Sequence, residues 1–456
     1  MDNNQTNKSA ITLNINKEHI KMSSEHYRFE TLALHAGQPV DATLSRGVPV
    51  YRTTSYLFKS TEHAANLFAL KELGNIYTRM MNPTTDTLEQ RVTRLEGGAA
   101  SVAVASGTAA IFNTIITIAE AGDNIVSANN LYGGTYTQFD AILPKLGINV
   151  TFVDPKDPAN FEKAITEKTR ALYIETIGNP VLDYTDVKAI AEIAHRNGLP
   201  LIVDATFTTP YLLKTIELGA DIVINSLTKW LGGHGAGIGG IITDAGRFNW
   251  SGGCHPLFTE PDQNYHGLRW AIDLPEPLAP IAFALRFRTV PLRNLGACIS
   301  PDNSWILLQG IETLPVRMAR HSENALKVAE HLAQHPGVAW VRYPGLKSDP
   351  SYAKASRDLK NGFGGMVVFG VKGGYDAAVE IIDNIKLFSH LANVGDAKSL
   401  ILHPASTSHS QMTEEQRIQS GLSEDLIRLS IGLEHPDDLI EALDEALQRG
   451  ATTPKP

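Results

Sequence analysis

Leu201-Ile202-Val203-Asp204-Ala205-Thr206 and, shortly after it, Asp221-Ile222-Val223-Ile224-Asn225-Ser226-Leu227-Thr228-Lys229 decide the fold. Both are short apolar runs that close on polar residues. Such runs read as strands buried on both faces of a parallel or mixed sheet. Ligands of open α/β sheets sit beyond the carboxyl ends of strands. Asp204 and Lys229 are therefore expected at one sheet edge, delivered by consecutive strands.

Working outward, strand and helix alternate. Further strands are expected at residues 101–105, 124–127, 149–153 and 171–175. Helices are expected at 86–96, 108–119, 136–146 and 186–197, the first closed by Gly97-Gly98 and the last by Gly198. This alternation predicts a large three-layer α/β domain over residues 76–300. Residues 27–75 read as an extended arm and 246–300 as a loop-rich stretch. From Pro301 a helical segment, kinked at Pro315, leads into a smaller C-terminal α/β domain over 301–456. Strands at 366–369 and 427–431 and a closing helix at 436–448 belong to it. Residues 1–26 are polar, lack the apolar core of a secretory signal, and read as a disordered tail. Translation could start at Met1 or at Met22.

The 456 residues are 43% hydrophobic and 20% charged, enough for a full core in two or three domains. The formal net charge of −9 gives nucleic acid binding no support, because an acidic surface repels phosphate. No apolar run approaches the ~20 residues of a membrane span. The two cysteines, Cys254 and Cys298, have no CxxC spacing and fit a reduced, cytoplasmic protein. Neither HExxH nor a Cys/His ligand pattern occurs, so no metal is expected. His403 and His409 share a loop and read as capping residues.

Taken singly, Asp204 is ordinarily a helix cap and Lys229 a solvated surface residue. Together they match the demands of pyridoxal phosphate. A lysine amine must form an imine with the cofactor aldehyde, and a carboxylate must keep the pyridine nitrogen protonated. Hydroxyls and a helix N-terminus must hold the phosphate. Ser226 and Thr228 flank the lysine, and Ser106-Gly107-Thr108 falls between a strand and an apolar helix. Residues 235–240 match G-x-G-x-x-G but run into a strand rather than a helix, the wrong context for a dinucleotide.

Five segments carry a more specific signal: Tyr77-Thr78-Arg79-Met80-Met81-Asn82-Pro83-Thr84, Leu131-Tyr132-Gly133-Gly134-Thr135, Val203-Asp204-Ala205-Thr206, Ser226-Leu227-Thr228-Lys229 and Arg428-Leu429-Ser430. In this order they resemble the Cys/Met-metabolism family of pyridoxal-phosphate enzymes, from about Phe29 to the C-terminus. The resemblance implies fold type I of the pyridoxal-phosphate-dependent transferases, which is aspartate-aminotransferase-like. It makes Lys229 the Schiff-base lysine and proton shuttle, and pairs Asp204 with the ring nitrogen. Tyr132 stacks on the ring and can assist proton transfer. Gly107, Thr108, Ser226 and Thr228 hold the phosphate, and Tyr77 and Arg79 reach the phosphate of a neighbouring subunit. Asn179 lies near cofactor and substrate, and Arg428 and Ser399 hold the substrate α-carboxylate.

Segments 49–56, 258–268, 396–400 and 403–407 are similar to the branch that performs γ-replacement on O-acetylhomoserine with sulfide. Gly134 departs from the γ-lyases, which place a cysteine there. The implied product is homocysteine, with acetate released, in methionine biosynthesis. Alternatives on the same cofactor are cystathionine γ-synthase and γ-lyase activities. Implied partners are these small molecules and further copies of the chain, a homotetramer built from catalytic dimers.

Overall fold

The apolar runs pair as the lack of a polar face on each requires. A computed structural model describes residues 27–39, 42–407 and 422–452. The N-terminal tail, with Met22, and His409 lie outside the described residues. β1 (Ala100–Val104), β2 (Asn124–Ala128), β3 (Asn149–Val153), β4 (Thr169–Glu175), β5 (Leu201–Asp204), β6 (Ile222–Ser226) and β7 (Gly240–Asp244) form one sheet in the order β1-β7-β6-β5-β4-β2-β3. β7 runs antiparallel to both its neighbours, while β2 to β6 pair in parallel. Six carboxyl ends therefore reach one edge.

Local chemistry sets the helices against this sheet. In Pro83–Glu96, the Asn82 side chain accepts the Thr84 N–H, Pro83 starts the first turn, and Gly97 (φ 77°) ends the helix in the left-handed conformation. Leu88, Val92 and Leu95 on its inner face are fully buried; truncating one such leucine costs about 2–5 kcal/mol. The glycine-rich segment 235–240 runs into β7 and not into a helix, as read from the sequence. A Cβ on Gly240 would lie 2.1 Å from the Ser106 carbonyl oxygen, so only glycine admits the 106–107 turn there.

A second sheet, in the order β10-β11-β12-β9-β8, contains β8 (Val338–Arg342), β9 (Met366–Val371), β10 (Ser389–His390), β11 (Leu400–Leu402) and β12 (Leu426–Ser430). Helices Gly374–Asn384 and Pro436–Thr452 pack together beside it. One hydrophobic core includes Leu307, Leu314 and Met318; the other begins at Ala325 and includes Phe369, Leu429 and Leu443. The changeover falls inside helix Leu314–Gln334. The expected kink at Pro315 is instead a break at Thr313 between Pro301–Glu312 and Leu314–Gln334. Proline in a first turn costs no hydrogen bond, so Pro315 starts a helix rather than bending one. The arm holds two short helices, Phe29–His35 and Thr61–Phe68, rather than purely extended chain. No described helix is long and apolar enough to cross a membrane.

Near the carboxyl end of β6, Asn225 Nδ2 donates to Glu96 Oε1 at 2.7 Å, and both side chains are fully buried. Glu96 Oε2 and Asn225 Oδ1 have no hydrogen-bond partner among the described residues. A proton on Glu96 satisfies both atoms at once, as in a carboxylic acid–amide pair. Burial pushes the Glu96 carboxyl up to about 8, opposed by the Asn225 hydrogen bond. Because the folded chain holds this proton more tightly than the unfolded chain, its contribution is complete below the ordinary carboxyl range. It is then lost as pH rises towards about 8. Glu96→Gln reproduces both hydrogen bonds without titrating. Its thermal midpoint, measured from pH 5 to pH 9, should therefore gain on wild type as pH rises; parallel curves would refute the assignment.

Candidate active site

The carboxyl ends of β1, β4, β5 and β6 frame a cavity of about 300 Å³, closed from the other side by the second sheet and its loops. Lys229 and Arg428 both line it. Lys229 sits in the turn Leu227–Leu231 directly after β6, with non-helical backbone (φ −96°, ψ −131°). Its Nζ donates to Asn393 Oδ1 at 2.5 Å, from the segment between β10 and β11. Burial, helped by the Arg428 charge, pulls the Lys229 amine down to about 8.

The turn itself is fixed from behind. Trp230 is fully buried, with His321 edge-on to its ring at 4.8 Å. Arg317 donates to the carbonyls of Trp230 (2.8 Å), Leu231 (3.1 Å) and Gly310 (2.7 Å). Gly395 (φ 78°) lies so close to the turn that a Cβ there would be 2.6 Å from the Trp230 nitrogen.

One end of the cavity suits an anion. Helix Gly107–Ile118 starts at the wall, with the Ser106 hydroxyl accepting the Ala109 N–H at 3.1 Å. Its first N–H groups have no intrahelical acceptor. Ser226 and Thr228 stand beside it, and a Cβ on Gly107 would lie 2.7 Å from the Ser226 Cβ. The Thr228 hydroxyl also bonds the Gly239 backbone.

The opposite requirement is met at the ends of β4 and β5. Glu175 and Asp204 are register partners there, and both line the cavity. Burial raises both carboxyls, Glu175 the more strongly, while hydrogen bonds from Thr206 hold Asp204 back. No cation pairs with either among the described residues. Glu175 Oε1 accepts the Tyr132 N–H at 2.8 Å, and Tyr132 leaves 46% of its surface open at the cavity wall. A Cβ on Gly134 would lie 2.5 Å from Tyr132 Cε1, so glycine lets the ring take this place.

Arg428, on β12, is 6% exposed, and burial pulls its guanidinium down to about 10. It donates to Asn179 Oδ1 at 3.3 Å. It has no carboxylate partner among the described residues.

These unmet demands fit one cofactor. A helix N-terminus with hydroxyls awaits an anion, buried carboxylates lack a cation, and an amine of lowered basicity lies between them. Pyridoxal phosphate offers a phosphate, a protonated ring nitrogen and an aldehyde. The Cys/Met metabolism PLP-dependent enzyme family matches residues 30–448. The chain belongs to this family.

Relatives agree along nearly the whole length. An O-acetyl-L-homoserine sulfhydrylase of Leptospira meyeri is 54% identical over 93% of this chain and 97% of its own. O-acetyl-L-homoserine sulfhydrylase 1 of Thermus thermophilus is 53% identical over 92% of this chain and 100% of its own. A Campylobacter jejuni crystal structure containing N'-pyridoxyl-lysine-5'-monophosphate superposes with a TM-score of 0.89. It is 41% identical and covers 92% of this chain and 100% of that one.

The cavity brings together Gly107, Thr108, Tyr132, Asn179, Asp204, Ser226, Thr228, Lys229 and Arg428 from the sequence-derived set. Ser399 is not among the lining residues. It is fully buried, its hydroxyl donating to Glu434 Oε2 (2.9 Å) and accepting the Gly432 N–H (2.8 Å). Tyr77 and Arg79 also lie outside the cavity of their own chain, with the guanidinium 5.2 Å from the tyrosine ring centroid. Sequence reasoning missed Glu175 and Asn393. The first ends an apolar run as Asp204 does, and the same signal could have found it.

A neutral amine is the nucleophile in imine formation, and Lys229 becomes neutral as pH rises through about 8. Cofactor attachment to the cofactor-stripped protein, followed by the growth of visible absorbance, should accelerate about tenfold per pH unit below 8 and level off above it. A rate that keeps rising to pH 10 would contradict the assigned basicity.

Proposed function

We propose that the chain catalyses γ-replacement on O-acetyl-L-homoserine, sulfide displacing acetate to give L-homocysteine. The observation that carries this reading is the placement of Lys229 and Arg428 in one cavity: a base for an α-carbon, and for an α-carboxylate a guanidinium with no carboxylate partner among the described residues. The names of the relatives supply the leaving group and the nucleophile.

Pyridoxal phosphate, when bound, supplies the sink for electrons left at Cα. Asp204 would keep its ring nitrogen charged, and Gly107, Thr108, Ser226 and Thr228 would hold its phosphate. The Arg428 fork orients the substrate carboxylate and so presents the Cα proton to Lys229. Lys229, with its lowered basicity, takes that proton, would hand it on to the bound cofactor, and as a free amine again takes one from Cβ. The Cγ–O bond breaks with its electron pair leaving on acetate, and hydrosulfide forms the new Cγ–S bond. Lys229 returns the protons to Cβ and Cα. Asn179 steadies Arg428. Tyr132 covers the ring, and a cysteine in place of Gly134 would crowd it, which supports replacement over the lyase outcome.

The exposed Tyr77–Arg79 pair belongs to a segment with Tyr51, Leu57 and Phe58 also exposed. Such a patch favours a second copy of the chain, whose phosphate cup the pair would reach. A dimer is then the smallest catalytic unit, and a tetramer the assembly built from it. Mixing inactive Lys229→Ala with inactive Arg79→Ala protein, after subunit exchange, should restore part of the activity. No recovery despite proven exchange would argue for self-contained subunits.

Steady-state assays with O-acetyl- and O-succinylhomoserine against sulfide, cysteine and no nucleophile test the reaction. Homocysteine from the acetyl ester and sulfide should dominate; 2-oxobutyrate released without sulfide as the main product would overturn the proposal. Arg428→Lys, which loses the two-pronged fork, should lower kcat/KM about 100-fold, mostly through KM.

A further inference from the structure

Glu175 has no task in the reaction just described, yet it stands in the cavity wall with only 7% of its surface exposed. It ends β4 beside Asp204 on β5. Its Oε1 accepts the backbone N–H of Tyr132 at 2.8 Å. The charged and titratable groups around it are Asp204, the buried phenol of Tyr173 on the same strand, Tyr132 from the segment after β2, and Lys229 and Arg428 across the cavity. No cation pairs with Glu175 or Asp204 among the described residues.

Two ionised carboxylates side by side in a low-dielectric wall repel one another, so such a pair holds a proton. Where it resides follows from the donors. Asp204 Oδ1 accepts the Thr206 N–H at 2.9 Å, and the Thr206 hydroxyl stabilises the same charge. Glu175 has the single Tyr132 N–H, and burial beside Asp204 raises it strongly.

We propose that Glu175 is a positioning residue that works protonated: it anchors the Tyr132 backbone, and with it the stacking ring, while leaving one negative charge, on Asp204, for the ring nitrogen. This rests on the cofactor assignment. It requires an acceptor at position 175 of the right length and without charge.

Holoenzymes carrying Glu175→Gln, Glu175→Asp and Glu175→Ala are stripped of cofactor and titrated with pyridoxal phosphate, following tryptophan fluorescence. The circular dichroism of the bound cofactor is recorded as a report on ring seating. Glutamine keeps the acceptor and carries no charge, so its cofactor affinity should stay within about threefold of wild type with an unchanged dichroic band. Aspartate keeps the carboxyl group but, one methylene shorter, falls short of the Tyr132 amide. It and alanine should lose about tenfold or more in affinity, roughly the worth of one hydrogen bond to a buried group, with a weakened band. Aspartate binding as well as or better than glutamine overturns the proposal, as do three variants that all match wild type. If alanine does not fold, the order of glutamine and aspartate decides. Failure of the wild-type protein to bind pyridoxal phosphate would instead refute the cofactor assignment.

Discussion

A buried guanidinium holds the turn on which the site depends. Arg317 has no acid partner among the described residues; it donates to the carbonyls of Trp230, Leu231 and Gly310 and to the Thr313 hydroxyl. Burial draws it down to about 10, still a cation at neutral pH. A cation at the open end of a helical turn meets the negative end of the peptide dipoles. The close fit requires small neighbours: a Cβ on Gly233 would be 2.0 Å from Arg317 Nη1, and one on Gly310 would be 2.0 Å from the Gly232 oxygen. Arg317 belongs to the helix in which one hydrophobic core gives way to the other. The lysine-bearing turn is thus tied to the element that joins the two sheets, and Asn393 and Arg428 meet Lys229 from the second.

The charge pattern of the cavity follows from backbone direction more than from the choice of side chains. Parallel strands leave their carboxyl ends on one edge, where a following helix begins and offers N–H groups. Within one chain, that supplies the anion end without any lysine or arginine. The Asp204 carboxylate at the end of β5 supplies the other sign, and Arg428 a third station for the substrate. A ligand with charges of both signs has one orientation that satisfies all three.

Much of this was legible in the sequence because buried parallel strands are apolar throughout and change abruptly at their ends. Asp204 and Lys229 stood out for that reason, and the strand that ends in Glu175 carried the same mark. Asn393 carried none: it lies in a loop of the other sheet, and its meeting with Lys229 depends on how the two sheets dock. Ser399 leads into the strand that pairs with that of Arg428, but a motif cannot tell that Glu434 takes its hydroxyl. Pro315 marked a discontinuity correctly, although the residue before the helix, Thr313, bears it. Tyr77 and Arg79 show a different limit, since a single chain gives them no cavity to enter.

The glycine beside Tyr132 has one more consequence. With Gly134 in that position, no sulfur atom stands among the described residues that line the cavity. Cys254 and Cys298 are both elsewhere. In the reaction proposed, a sulfur nucleophile enters and a thiol leaves. A wall cysteine would offer that traffic a partner for mixed disulfides and persulfides whenever an oxidant was present. Among its described residues a single chain's wall offers none, so that wall stays redox-silent towards its own substrates.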